Sequence, residues 1–283
     1  MNSLVRWSAT LGLVGSTLIG SLCTDNLQAL ALTPDQVVQK LQSVPVFTVT
    51  DAQGSPLVAS VPTGQNQNQT AAVAGVFISQ RDAQAFVERL KKEKPDLGRT
   101  VQVVPVSLAE VYKLDQENRN KPNGLDFAFI PVQQQVQSAQ AIVSQTRQSG
   151  QQAQQFQGTP LFVARGGQEQ GYLTIQENGK QVIPFFFDKE QLQGMIDRFK
   201  QQQPNLASTV KMQVVPLEGV IQTLQSSNDD KLNNIVLVPS QESIQFLRSL
   251  PPAPGQGATQ QPSPQGTPQQ RLPQSAPQTA PRR

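Results

Sequence analysis

Two stretches of the chain, 109 residues apart, carry the same pattern of apolar and polar positions. Residues 76–95 and 185–204 align without a gap. In each, a short apolar run leads into a helix start, at Ser79 or Asp188, whose side-chain oxygen can accept a bond from a first-turn amide. Apolar residues then recur at i, i+3, i+4 and i+7, which places them on one helical face. The two sets are Ala83, Phe86, Val87 and Leu90, and Leu192, Met195, Ile196 and Phe199.

The segments around these two helices repeat in the same order, which predicts an internal duplication. Apolar runs and turn residues predict the order β-β-β-α-β-α-β-α in each half, and the Asn178-Gly179 pair is typical of a tight hairpin turn. Because runs such as 185–187 are apolar throughout, the sheets should be covered on both faces. We therefore predict an α/β or α+β fold of two pseudo-symmetric halves, each with strands and a long amphipathic helix, that share a sheet or a tight interface.

The same patterns divide the chain into five parts. We expect a signal peptide over 1–31, a first half over 32–147, a linker over 148–158, a second half over 159–250 and a disordered tail over 251–283. The tail is mostly Pro, Gln, Gly, Ser and Ala, so it cannot bury enough apolar surface to offset the entropy of ordering. Within the first half, we expect a short helix from Leu108 to Tyr112 and then a polar loop over 115–124.

The first 31 residues have the features of a secretory signal. Arg6 is the positive residue before an apolar run from Leu11 to Leu22, and Ala29-Leu30-Ala31 fits a cleavage site. We predict export to the periplasm, with the thylakoid lumen as an alternative compartment and contact with the membrane that is peripheral at most. An uncleaved anchor, or lipid attachment at Cys23, are the other interpretations of this segment.

Charge and composition argue against several classes of function. The formal net charge of +3 comes from the three arginines of the tail, so the part from 32 to 250 is formally neutral. A neutral body lacks the basic excess that nucleic-acid binding requires, and we expect no nucleic-acid partner. The chain has no histidine, and its one cysteine, Cys23, lies in the predicted signal. We therefore expect no imidazole or thiolate metal site, no Ser–His–Asp triad, no disulfide and no cofactor.

A carboxylate-based enzyme is the catalytic alternative that the composition leaves open. A glycosidase needs two acids at a set separation, and the candidates are Glu110, Asp126, Asp188 and Glu218. Two of them, Glu110 and Asp188, stand at predicted helix starts, where a carboxylate has a structural use. We predict that the protein is not an enzyme.

Short motifs in both halves resemble one known family. They are Val44 to Val49, Gly75 to Ile78 with the helix that follows, Val103 to Val106, Phe129 to Val132, Thr159 to Val163, Val182 to Phe186 and Val214 to Leu217. Their order and spacing over about 33–250 resemble the twenty-two-kilodalton Tic component of chloroplast protein import and its cyanobacterial relatives. The resemblance implies a butterfly-like body with apolar surface pockets. It also implies a chaperone-like periplasmic role in protein transport and outer-membrane biogenesis, with the barrel-assembly machinery as a partner.

The sequence offers two functions compatible with this resemblance. The first is a non-enzymatic protein that holds unfolded or extended envelope proteins, with Phe47, Phe162, Phe185, Phe187 and Met195 as candidate client-binding residues. Apolar and flexible side chains suit such contacts, but the strand and helix spacing favours the core for all five. The second is a periplasmic small-ligand-binding or structural envelope protein.

Overall fold

The structure is a computed structural model that describes most of the chain between residues 31 and 250. The described residues are 31–62, 70–119, 121, 124–145, 155–167, 169–227 and 229–250, with the main chain of Gly12–Leu13. The rest of the predicted signal peptide, most of the predicted linker and the predicted tail lie outside them. Within the described part, no helix has both the length and the apolarity that a membrane crossing needs.

Helices and strands follow one another largely in the predicted order. The strands are β1 (Gly12–Leu13), β2 (Pro45–Asp51), β3 (Val58–Pro62), β4 (Thr70–Phe77), β5 (Val101–Ser107), β6 (Leu125–Ile130), β7 (Pro160–Gly166), β8 (Gly171–Glu177), β9 (Lys180–Phe186), β10 (Lys211–Pro216) and β11 (Ile235–Val238). The helices are α1 (Pro34–Leu41), α2 (Gln80–Glu93), α3 (Pro95–Gly98), α4 (Leu108–Asn118), α5 (Gln133–Gln145), α6 (Lys189–Gln202), α7 (Leu217–Ser226) and α8 (Gln241–Ser249). Two 3₁₀ turns occupy Pro204–Thr209 and Asp230–Asn234.

The two halves contain sheets with the same pairing scheme. In the first, β4 pairs antiparallel with β2 and β3 and parallel with β6, and β2 pairs antiparallel with β5. In the second, β9 pairs antiparallel with β7 and β8 and parallel with β11, and β7 pairs antiparallel with β10. β1 joins the second sheet through β8. The predicted mixed α/β fold is confirmed, while the origin of the halves in a duplication stays a prediction.

A central core joins the two halves through the facing sides of both sheets. Alternate residues of the central strands point into it, Val46 and Val76 from the first half and Leu161 and Phe185 from the second. The intervening residues point outwards into two further clusters, one on each sheet. Both faces of each sheet therefore carry buried apolar residues, which is why the central strands have almost continuous apolar sequences.

The last helix of each half packs on the sheet of the other half. α5 lies against β7 and β10 of the second half, where Ala139 and Ile142 join the outer cluster around Phe162. α8 lies against β2 and α2 of the first half, where the ring of Phe246 meets that of Phe47 edge to face at 5.4 Å between centroids. Each half thus depends on a helix from the other to close its outer core.

The crossed helices also supply bonds at the starts of α2 and α6. Ser79 caps α2 by accepting from the Asp82 amide at 3.2 Å, as expected, and its hydroxyl donates to Glu242 of α8 at 2.9 Å. The expected cap at Asp188 is wrong, because this carboxylate instead accepts from the Gln241 amide at the start of α8 at 2.9 Å. Gln135 of α5 instead caps the start of α6, because its side-chain oxygen accepts from the Lys189 amide at 3.1 Å.

Two elements of the first half differ from their predicted extents. α4 continues to Asn118 rather than ending near Tyr112. An Asp115–Arg119 ion pair of 2.8 Å and a bond from the Asn118 amide group to the Leu114 carbonyl support its extra turns. β3 was expected as the hairpin partner of β2, but β3 pairs mainly with β4. β2 contacts the segment that precedes β3, through a bridge from Thr50 to Pro56.

Candidate functional site

The candidate client-binding residues of the sequence are all in the interior. Phe47, Phe162, Phe185, Phe187 and Met195 are buried, and they are divided among the central core and the two outer clusters. A client could reach them only if the core opened. Client contact at these positions stays a prediction, and a surface available in the folded protein must be sought elsewhere.

An open apolar groove runs along the inner face of the first sheet beside α4, and we call it the α4 groove. It has a volume of about 740 Å³. Its sheet side is Thr48, Thr50, Val76, Gln102, Val104, Val106 and Phe127, its helix side is Glu110, Val111, Lys113, Leu114 and Glu117, and the β2–β3 turn closes one end. It therefore combines strands from across the first sheet with the helix that follows β5.

The groove exists because the central core covers only part of this sheet face. Along β2 the inward residues change from buried Val46, in the core, to Thr48 and Thr50, which line the groove. Both threonine hydroxyls bond to main-chain carbonyls, those of Gly75 and Asp51. The floor thus has few unpaired polar groups, which favours an apolar ligand over a polar one.

Leu114 is the clearest sign that this apolar surface is available for contact. Its side chain lines the groove and is 46% exposed, among the most exposed large apolar residues of the described chain. The charged residues on the helix side are Glu110, Lys113 and Glu117. Glu110 completes the capping box of α4 by accepting from the Ser107 amide at 2.8 Å, so it is already bonded within the protein. The arrangement is an apolar floor with a mixed-charge rim.

The carboxylates of the hydrolase alternative do not gather in this groove. Glu110 lies there but is bonded to Ser107, Asp188 accepts from Gln241, and Glu218 accepts from the Thr159 amide through both oxygens at 3.0 and 3.1 Å. Asp126 is exposed on β6. Three of the four are thus engaged by main-chain amides in three different places. Among the described residues, no group of three potential metal ligands was found either.

An acidic cluster lies where α2, α6 and α8 begin, and it has a structural role. Burial raises the pKa of Asp188, and the carboxylates of Glu190 and Glu242 raise it further, while the bond from the Gln241 amide lowers it. Burial, followed by Glu242, also raises the pKa of Asp82. These acids meet because the crossed helices bring several helix starts together, where negative charge is favoured by the helix dipoles.

Sequence reasoning missed the groove for an identifiable reason. Leu114 follows Val111 by three residues, a helical spacing, but the polar residues from Asp115 onwards indicated a loop and ended the predicted helix too early. Phe127 and Phe129 also alternate with Asp126 and Ala128 along β6, the period of a strand with one apolar face. That alternation was the signal that this edge of the first sheet has an apolar side.

Comparison with known proteins gives a consistent result. The model of the Tic22-like family matches residues 7–249. The chain is 23% identical over 235 residues to "Protein TIC 22, chloroplastic" of Pisum sativum, spanning 83% of this chain and 84% of that protein. It is 25% identical over 223 residues to the Arabidopsis thaliana protein of the same name, spanning 77% of this chain and 73% of that protein.

Solved structures agree with the sequence matches. A structure described as Anabaena Tic22, with the words protein transport, superposes with a TM-score of 0.68 at 36% identity and covers 79% of this chain and 100% of its own. Tic22 from Plasmodium falciparum superposes with a TM-score of 0.55 at 22% identity, covering 75% of this chain and 95% of its own. The second likeness shows the fold alone.

Proposed function

The chain belongs to the Tic22-like family, and from this premise we propose that it is a non-enzymatic, chaperone-like factor for protein transport across the cell envelope. It holds unfolded or extended envelope proteins and assists outer-membrane biogenesis, with the barrel-assembly machinery as a partner. The Anabaena relative is described by the words protein transport, which supports the transport part of this proposal.

The α4 groove is the observation that supports client binding most directly. It presents an apolar floor to solvent beside the part of the inner sheet face that is buried in the central core. An extended segment lying in it would remove Leu114 and Val104 from water, and burying one such side chain fully stabilises a contact by about 1.5–3 kcal/mol. Contacts of this kind depend little on the client's sequence, which suits a factor that serves several clients.

We place the protein in the periplasm, after export by its N-terminal signal. The signal features at Arg6, Leu11 to Leu22 and Ala29 to Ala31 support this location. The pea and Arabidopsis relatives are chloroplastic by name, and a protein of the bacterial envelope is compatible with that relationship.

The direct test is suppression of aggregation of an unfolded outer-membrane barrel protein by the purified full chain. We expect near-stoichiometric amounts to slow aggregation, and the substitution Leu114→Asp to abolish most of the effect because a charge then lies in the apolar groove. The matched control is Leu97→Asp, which changes another exposed leucine, 37% exposed, outside the groove. Suppression that is equal for both variants, with folds intact by circular dichroism, would rule out the groove as the client site.

The small-ligand alternative has one observation in its favour. A volume of about 740 Å³ lies within the range of about 300–1,000 Å³ found for small-molecule sites. A thermal-shift screen with a metabolite panel separates the two functions. A compound that raises the melting temperature of the wild type but not of Leu114→Asp, together with no suppression of aggregation, would replace the chaperone proposal.

A further inference from the structure

Helix α1 covers a defined place on the second half of the protein. It packs against α4, α7 and β11. Its apolar side, Val37 and Leu41, is buried in the central core together with Ile235 and Leu237 of β11. Lys40 fixes the helix further, since its ammonium group donates to the main-chain carbonyls of Asn233 and Ile235 at 2.9 and 3.0 Å.

The first half has an equivalent place, and strand register identifies it. Phe127 and Phe129 of β6 pair with Ala74 and Val76 of β4. Ile235 and Leu237 of β11 pair in the same parallel fashion with residues 183 and 185 of β9. α4 follows β5 as α7 follows β10. The counterpart of the α1 site is therefore the surface formed by β6, α4 and α7.

This counterpart is an open groove, which we call the α4–α7 groove. It has a volume of about 380 Å³. It is lined by Val111, Tyr112, Asp115 and Arg119 of α4, Phe127 and Phe129 of β6, and Glu218, Ile221, Gln222 and Gln225 of α7. Whereas Ile235 and Leu237 are 9% and 2% exposed under α1, the two phenylalanines are only partly buried. Among the residues that the structure describes, one of the two equivalent sites thus has its helix and the other has none.

We propose that the α4–α7 groove binds a short amphipathic helix of a partner protein, with the chemistry of α1. The matching helix has aliphatic residues at i, i+1 and i+4, as Val37, Val38 and Leu41 have, and a lysine at i+3. The eight residues of α1 span about 12 Å at about 1.5 Å per residue, and the matching helix has this length. The apolar face covers Phe127 and Phe129, as α1 covers Ile235 and Leu237.

The polar residues of the groove are compatible with a helix that carries a lysine at i+3. Gln225 donates to the Tyr112 hydroxyl at 3.0 Å, and Arg119 is paired with Asp115. With Glu218, the lining carries two carboxylates and one guanidinium, a net negative charge. The carbonyls equivalent to those that Lys40 reaches belong to Leu125 and Phe127, so a lysine at i+3 has acceptors as well as an attractive field.

This inference does not depend on the proposed function of the α4 groove. The two grooves lie on different sides of α4 and share Val111 and Phe127. The proposed client of the α4 groove is an extended segment, whereas the proposed ligand of the α4–α7 groove is a helix. Leu114 lines the α4 groove alone, so Leu114→Asp separates the two sites experimentally.

The probe for the test is a fluorescent peptide with the sequence of residues 31–43, titrated against the full chain. Gln222→Trp fills the α4–α7 groove from an exposed position, and Gln201→Trp is the matched control on an exposed face of α6. We expect the peptide to bind the wild type, the Gln201→Trp control and Leu114→Asp equally. We expect Gln222→Trp to weaken Kd at least about tenfold, the size of effect seen at a central interface position, because the indole occupies the space of the bound helix.

A second measurement locates the peptide. A photoreactive group at peptide position 38 should cross-link to β6, as read by mass spectrometry, because α4 and α7 border both sites and only β6 and β11 distinguish them. Cross-links to β11 would mean that the peptide exchanges with α1 at the second-half site, and this would overturn the proposal. So would a titration without binding, binding unchanged by Gln222→Trp, or equal binding of a peptide that carries Val37→Asp and Leu41→Asp.

Discussion

The helices α2 and α6 have the same apolar spacing and the same position on their sheets, yet they are buried to different extents. α6 buries Leu192, Met195, Ile196 and Phe199, whereas α2 buries Ala83 and Val87 and leaves Phe86 and Leu90 partly exposed. The spacing therefore determined which face packs, and the neighbouring elements determined how deeply it packs.

The difference arises from side-chain size and from what surrounds each helix. Where α2 has Ala83, α6 has Leu192, and α5 adds buried Ala139 and Ile142 to the cluster around α6, whereas α8 adds the partly buried Phe246 to the cluster around α2. The outer cluster of the first half is accordingly the smaller one. The α4 groove also lies in the first half, and we therefore expect the second half to supply more of the stability.

The largest expected effect tests whether the second half supplies more of the stability. Phe199→Ala should lower the free energy of unfolding by about 3–5 kcal/mol, because it leaves a cavity around a side chain that is 1% exposed. Phe86→Ala should cost about 1–2 kcal/mol, because its ring is already partly in water. Urea unfolding followed by circular dichroism measures both. Equal losses would mean that the two outer clusters contribute alike.

The starts of α2 and α6 allow a second comparison, with an expected effect of intermediate size. α2 has its own cap in Ser79, while α6 relies on Gln135 from the other half, which also donates to Glu190 at 2.8 Å. Ser79→Ala and Gln135→Ala should each cost about 1–2 kcal/mol, because both side chains are buried and each makes two hydrogen bonds at a helix start. Ser208→Ala, at an exposed serine, serves as control. A negligible loss at Gln135 would show that α6 needs no cap from α5.

The smallest expected effect is a gain in the free energy of unfolding, and it depends on pH. Since burial raises the pKa of Asp188, the folded state holds this proton at pH values where the unfolded state has lost it. The associated stability is present below the unfolded pKa and is lost as pH rises through the folded one. Asp188→Asn keeps an oxygen that accepts from Gln241 and removes the charge, so it should be at least as stable as wild type near neutral pH.

The measurement is urea unfolding of both proteins between about pH 4 and pH 7.5, the range that brackets carboxyl titration. The advantage of Asp188→Asn should shrink towards the acid end, where the wild-type carboxyl is protonated. Exposed Asp197→Asn on α6 provides the control. If Asp188→Asn is instead less stable than the wild type by the same amount at every pH, the hydrogen bond from Gln241 needs a carboxylate, and the charge of Asp188 does not lower the stability of the fold.

Most of the elements could be predicted because their signals are local. The Asn178-Gly179 turn and the Ser79 cap each act within a few residues, and the structure confirms them. The errors also have local causes. Ending α4 near Tyr112 followed the polar residues after it, although the Asp115–Arg119 pair extends the helix.

The candidate site was less predictable because exposure is a property of packing. Phe47 and Phe185 are apolar and so are Leu114 and Phe127, yet the first two are buried and the last two line grooves. Nothing in the residue types separates these pairs. What separates them is whether an element from elsewhere in the chain covers them, as α8 covers Phe47 through Phe246.

The sequence by itself determined the repeated order of strands and helices, the face that each helix packs and the absence of histidine from the whole chain. Tertiary structure alone decided that α5 and α8 cross to the opposite halves, that Asp188 bonds to α8 rather than to its own helix, and that α1 covers one of two equivalent sites. The reason is physical: backbone periodicity and capping act over a few residues, whereas coverage depends on surfaces far apart in the chain that meet only on folding.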